Sequence, residues 1–175
     1  MIKLVPVGEI EEDILKALKE GLRGVLGRRV EIAPAIELAK ESLDQRRGQY
    51  LARLLLAFSP TPSQDERFLL ITDEDIFAPG LNFVFGEADA LERRAIISLR
   101  RLREEFYALT PNKALLKERA LKEAVHELGH TYYLQHCPNP ACVMYFSNSL
   151  KDTDFKGWNF CPKCREKLEK QDEKN

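Results

Sequence analysis

Histidine, cysteine and methionine are scarce in this 175-residue chain, at three, four and two residues. Apart from Met1, all of them lie between His126 and Cys164. Imidazole and thiolate chemistry is therefore confined to that stretch. Net charge is nearly absent as well, because 27 Lys and Arg offset 28 Asp and Glu and leave a formal charge of -1. No global field draws the chain to nucleic acid or to an anionic membrane. No run is long and apolar enough to span a bilayer. The opening Met1–Asp13 segment has too short an apolar run for a signal peptide and no small-residue cleavage site. A cytoplasmic protein is expected. In a reducing compartment four cysteines favour metal ligation over disulfides. Repeats and low-complexity tracts are also missing.

What is present suits one globular domain, with 44% hydrophobic residues to form its core. Ile2–Val7 is β-rich and ends at Gly8, which predicts a first strand. Ile14, Leu18, Leu22 and Val25 then recur at helical spacing, so Ile10 to about Leu26 reads as an amphipathic helix ended by Gly24 or Gly27. Arg29–Ala33 predicts a short strand parallel to the first. A helix is expected from about Asp44 to Phe58, with Leu51, Leu54, Leu55 and Phe58 on its apolar face. Phe68–Thr72 should be a buried central strand. Asp73, Glu74 and Asp75 after it read better as a solvated turn than as a cation site. Phe83 and Phe85 alternate, so Asn82–Phe85 predicts a strand at the sheet edge, closed by Gly86. Ala95–Leu99 is another short strand. The arginines around it (93, 94, 100, 101 and 103) interleave with Glu92, Glu104 and Glu105. That pattern suits a solvated mixed-charge face better than a nucleic-acid site. Thr110 as cap and Pro111 in the first turn should start a helix that runs through Leu116, Ala120 and Ala124. A charged helix from Cys164 to about Lys170 should close the chain, with its final residues frayed.

His126 and His130 are four residues apart. On a helix both imidazoles then share one face, one turn apart, and both can reach one zinc at about 2.0–2.1 Å. Glu127 stands beside that face and can take a proton from a zinc-activated water without ligating the metal. His136 lies six residues beyond His130. A continuous helix would carry it about 9 Å along the axis and onto another side. For His136 to be the third ligand, the helix must end near Tyr132–Leu134 and the chain must double back. Otherwise the helix runs on and His136 is not a ligand. Cys137 and Cys142 form one close pair and Cys161 and Cys164 another, the pattern of a four-thiolate structural zinc site. Such a site would fasten the His136–Phe146 loop to the C-terminal segment.

These motifs, in this order, resemble those of the archaemetzincins, a branch of the metzincin zinc peptidases. The resemblance extends to Thr72-Asp73 with Asp75, to Asn82–Ala88, and to Ser98-Leu99 with Arg101-Leu102. It implies an α/β (α+β) fold: a twisted mixed β-sheet backed by helices, an active-site helix, and a small C-terminal zinc-bound part from about 136 to 175. It also implies two zinc ions per chain, one catalytic on His126, His130 and His136 and one structural on Cys137, Cys142, Cys161 and Cys164. Glu127 would be the general base, and Met144 would match the methionine of the turn beneath the metal. An extended peptide substrate would add to the edge strand at Asn82–Phe85. Tyr133 occupies the position where metzincins usually have glycine, and a left-handed conformation there is penalised by about 1–2 kcal/mol. Tyr133 and Tyr145 are candidates to line the cleft.

The reading is a zinc metallopeptidase acting on peptides or proteins, with neither nucleic acid nor membrane as partner. A peptide-binding pseudoenzyme that keeps only the structural zinc is the alternative, motivated by Tyr133. A nucleic-acid-binding zinc ribbon at Cys137–Cys164 is disfavoured because no basic-aromatic cluster accompanies it.

Overall fold

The computed structural model describes residues 1–172. In chain order the elements are β1 (Ile2–Val7), α1 (Glu12–Leu26), β2 (Val30–Ile32), β3 (Leu43–Asp44), β4 (Gln49–Leu51) and α2 (Ala52–Ala57). There follow β5 (Arg67–Thr72), β6 (Ile76–Phe77), β7 (Gly86–Asp89), β8 (Arg94–Ser98), α3 (Lys113–Thr131), α4 (Leu150–Phe155) and α5 (Pro162–Asp172). The fraying expected of the final residues falls beyond Asp172, outside the described residues.

Five strands form the main sheet in the order β2-β1-β5-β8-β7. β1 pairs in parallel with β2 and β5, and β5 with β8; only β7 runs antiparallel, against β8. β5 is central and every one of its residues is buried, as its unbroken apolar run requires. The period of two then sorts side chains to two faces. Leu4, Leu69, Ile71 and Ile97 meet α1 and α3 on one face, while Val5, Val7, Leu70 and Ile96 meet α2 on the other. Ile14, Leu18 and Leu22 of α1 are fully buried, each contributing about 1.5–3 kcal/mol of apolar transfer. α1 ends at Gly27, whose φ of 64° is left-handed and whose N–H returns to the Arg23 carbonyl. Val143, Met144, Phe160 and Leu168 belong to the same core as α1 and α3, so the C-terminal part shares one interior with the sheet.

Three elements differ from expectation. Asp44 to Phe58 is a hairpin followed by a short helix. The Asp44 side chain accepts the amides of Arg46 and Arg47, and Gly48 turns with φ 64°, so β3 and β4 pair antiparallel before α2 begins. Local side-chain capture by Asp44 thus overrides the helical spacing of the leucines. Asn82–Phe85 is irregular, and the edge strand begins where Gly86 was expected to end one. The alternation there is aromatic packing: Phe83 and Phe85 meet edge to face with centroids 5.2 Å apart, and Phe85 enters the core. α3 starts at Lys113 with Asn112, not Thr110, as its cap; the Asn112 Oδ1 accepts the Leu115 amide at 3.0 Å. Asn is the better cap of the two and sits directly before the helix.

The acidic run after β5 does form a bend, and it meets the arginines near β8. Arg101 pairs with Asp75 and Arg103 with Asp73. Arg94 is buried and donates to the Leu56 and Ser59 carbonyls. Arg94, Arg101 and Arg103 are therefore built into the fold, because planar guanidinium groups bridge carbonyls and carboxylates of neighbouring loops, while Arg100 stays exposed as expected.

Candidate active site

α3 carries the first half of the site. Its residues from Ala120 to Gly129 are almost all buried, including the polar Lys122, Glu123, His126 and Glu127. His126 and His130 share one side of the helix, with ring centroids 4.7 Å apart. The helix stops at Thr131. The Tyr133 amide donates to the His130 carbonyl and the Leu134 amide to the Gly129 carbonyl. This is a Schellman closure, and Tyr133 holds its left-handed position at φ 61°. Tyr132 is clamped inward, with the Arg67 guanidinium 3.7 Å from its ring centroid. The chain doubles back, and His136 comes to 5.3 Å from His126 and 4.8 Å from His130, centroid to centroid. The continuous-helix alternative, which would have left His136 outside, does not occur.

One nitrogen from each of the three histidines lies within 4.8 Å of the other two. Nδ1 of His126 is 2.8 Å from the Val143 carbonyl and Nδ1 of His130 is 2.7 Å from the Leu134 carbonyl. A carbonyl only accepts, so both protons sit on Nδ1 and both Nε2 atoms present lone pairs. Those Nε2 atoms face each other at 3.1 Å. Two lone pairs so close are unfavourable unless a cation lies between them and a third donor. Burial lowers the proton affinity of His126, His130 and His136, which keeps the imidazoles neutral and ready for a metal. The donor set fits zinc.

Glu127 and His126 line a cleft of about 210 Å³ that is also walled by Phe83, Phe85, Gly86 and Phe146. Burial holds the Glu127 carboxyl well above the usual range, Glu123 and Glu87 add to the rise, and Lys156 opposes it. A Cβ on Gly86 would lie 2.5 Å from Glu127 Cγ, so the glycine leaves room for the Glu127 stem. Beneath the helix Met144 is fully buried, and a Cβ on Gly129 would stand 2.5 Å from its sulfur. Neither Tyr133 nor Tyr145 is among the residues lining the cleft; Tyr133 is 47% exposed at the helix end.

The four cysteine sulfurs also lie within 4.8 Å of one another. Cys137 Sγ and Cys161 Sγ are 3.9 Å apart, too far for a disulfide at about 2.05 Å and close to the edge of a tetrahedron with zinc–sulfur bonds of about 2.3 Å. The Cys137 amide donates to the Met144 carbonyl and the Cys161 amide to Cys142 Sγ, so the cluster is braced against the turn under the histidines.

Several contributors escaped sequence reading. Gly129 was visible as a lone glycine inside a helical pattern, a spacing that signals close packing. Glu123 lies one turn before Glu127 and could have been read from that period. Lys156 gave no signal. It is fully buried, with Nζ 3.0 Å from Glu123 Oε1 and 3.4 Å from the Tyr145 carbonyl.

Residues 9–170 match the model of peptidase family M54. The chain belongs to that family. An archaemetzincin of Methanocaldococcus jannaschii is 49% identical over 168 residues, covering 96% of this chain and 92% of the relative. The crystal structure of the archaemetzincin from Methanopyrus kandleri superposes with a TM-score of 0.86 at 40% identity, covering 98% of this chain and 94% of that one. A zinc-dependent peptidase from Methanocorpusculum labreanum gives 0.85 at 32% identity, covering 96% and 100%. The archaemetzincin fold expected from the motifs is thus the fold observed, and membership of M54 makes the chain a zinc metallopeptidase. No helix among the described residues is long and apolar enough to cross a membrane.

Proposed function

We propose that the chain hydrolyses peptide bonds in the cleft beside α3, with His126, His130 and His136 holding a catalytic zinc and Glu127 as general base. The observation that carries this is the convergence of two Nε2 lone pairs and a third imidazole beside a buried carboxylate. Zinc supplies Lewis acidity there and makes a water more acidic. Glu127 takes the proton of the attacking water and returns it to the departing amine nitrogen. Burial raises its proton affinity above that of an ordinary carboxylate, which favours taking up the proton of the attacking water. The Val143 and Leu134 carbonyls orient His126 and His130 and fix their tautomers. The substrate would lie extended along the Asn82–Gly86 wall.

Cys137, Cys142, Cys161 and Cys164 would hold a second, structural zinc, since four thiolates leave no open position. The whole chain would act as one catalytic domain, a reading supported by the core that residues after 136 share with α1 and α3. Four unpaired thiols suit a reducing compartment such as the cytoplasm.

The test is turnover of a diverse fluorogenic peptide library by zinc-loaded wild type and Glu127→Gln. Wild type should cleave, and the variant should lose about 10²–10⁴-fold in rate with zinc content unchanged. Equal rates for the two proteins would overturn Glu127 as base. A zinc-loaded wild type inert toward the whole library would overturn the hydrolase reading.

A further inference from the structure

The acidic bend after β5 and the arginines near β8 have no part in the chemistry above, yet Asp75 and Arg101 meet against Phe83. Arg101 grips Asp75 with two parallel bonds, Nε to Oδ1 and Nη2 to Oδ2, each 2.7 Å. Its guanidinium carbon also lies over two rings, 4.4 Å from the Phe83 centroid and 4.7 Å from that of Phe106. Phe83 is a wall of the cleft. Asp75 continues the connection, because its Oδ2 accepts from Gln49 Nε2 at 3.0 Å and the same nitrogen donates to the Asn82 carbonyl at 3.0 Å. Arg47 bonds the Gln49 side chain and adds donors to the Leu81 and Asn82 carbonyls.

This matters because the wall is irregular backbone rather than a strand. Between Leu81 and Phe85 the backbone bonds to other elements are Val84 N–H to the Ile76 carbonyl and Ser98 N–H to the Phe85 carbonyl. A segment with so few ladder bonds is held by side chains or not at all. We infer that Arg101, through its bidentate pair with Asp75 and its contact with Phe83, is a positioning residue that acts with Gln49 and Arg47 to fix the substrate wall of the cleft. Arg101 does not reach the reacting atoms; it sets where the substrate backbone can lie opposite α3. Lys cannot replace it, since an ammonium neither forks onto a carboxylate nor stacks flat on a ring. This rests on the cleft being the substrate site, as proposed above.

Hydrogen exchange and steady-state kinetics on zinc-loaded wild type, Arg101→Lys and Asp75→Asn test it. Exchange of the amides in 81–85, and of the Ser98 amide bonded to Phe85, should accelerate about 10-fold in both variants, with amides of α3 and the rest of β8 unchanged. For a peptide that wild type cleaves, KM should rise about 10-fold with kcat within about two-fold, the mark of lost binding rather than lost chemistry. Unchanged exchange in 81–85, exchange raised equally in α3, or a fall in kcat at constant KM would each overturn it. If wild type cleaves no peptide, the hydrolase reading fails, while the exchange result still decides whether Arg101 holds the wall.

Discussion

The Leu134 carbonyl lies 2.7 Å from His130 Nδ1, and the Leu134 amide closes the end of α3 onto the Gly129 carbonyl. One peptide residue thus both terminates the helix and orients a histidine of the site. The turn that permits it is at Tyr133, whose φ of 61° suits glycine better. Tyr133→Gly should raise stability by about 0.5–1 kcal/mol, because the left-handed penalty of about 1–2 kcal/mol is removed and part of it is returned as glycine entropy. Its half-exposed ring has little packing to lose. Urea unfolding of the two proteins checks this, and a destabilised variant would refute it.

Lys156 and Glu123 form an ion pair with almost no solvent contact. Thr153 Oγ1 also donates to the same Glu123 oxygen, at 2.9 Å. Lys156→Met leaves the carboxylate buried without its cation, and should cost about 3–5 kcal/mol. Adding Glu123→Gln should recover part of that loss. Equal stability of the single and double variants, measured by denaturant unfolding, would speak against the pair.

The two proposed metal sites should respond separately. Elemental analysis should find two zinc ions per wild-type chain and one in His130→Ala. Cys161→Ser should lose the other ion and lower the midpoint, because a structural zinc contributes folding free energy. A single zinc in wild type, unaffected by His130→Ala, would contradict the histidine site.

Acid should destabilise the zinc-free protein through the histidines. Burial lowers the proton affinity of all three below the ordinary value of 6.5. Just below that pH the unfolded chain binds more protons than the folded one. Their contribution is therefore complete above pH 6.5 and is lost as the pH falls through the window beneath it. The urea midpoint of chelator-treated protein should drop as the pH falls from about 6.5 to about 5, and His126→Asn should flatten that slope. A slope unchanged by His126→Asn would exclude it as a source. Zinc-loaded protein should release the ion over the same range, since protons compete for the same nitrogens.

Local geometry made much of this legible in the residues alone. The period of 3.6 places His126 and His130 on one side of a helix whatever surrounds them, and two cysteine pairs at close spacing form half-sites on any backbone. The unbroken apolar run of β5 needs burial on both faces and so had to be central. Tertiary structure decided what depends on distant partners. Whether His136 joins the site turned on Tyr133 accepting a left-handed turn while Arg67, far away in β5, clamps Tyr132. The true edge strand at Gly86–Asp89 was hidden because Phe83 and Phe85 alternate for packing rather than pairing. Asp44 undid an expected helix by capturing two amides. The Asp75–Arg101 clamp and the Glu123–Lys156 pair join residues 26 and 33 positions apart, and no local pattern in a single sequence marks such long-range partners.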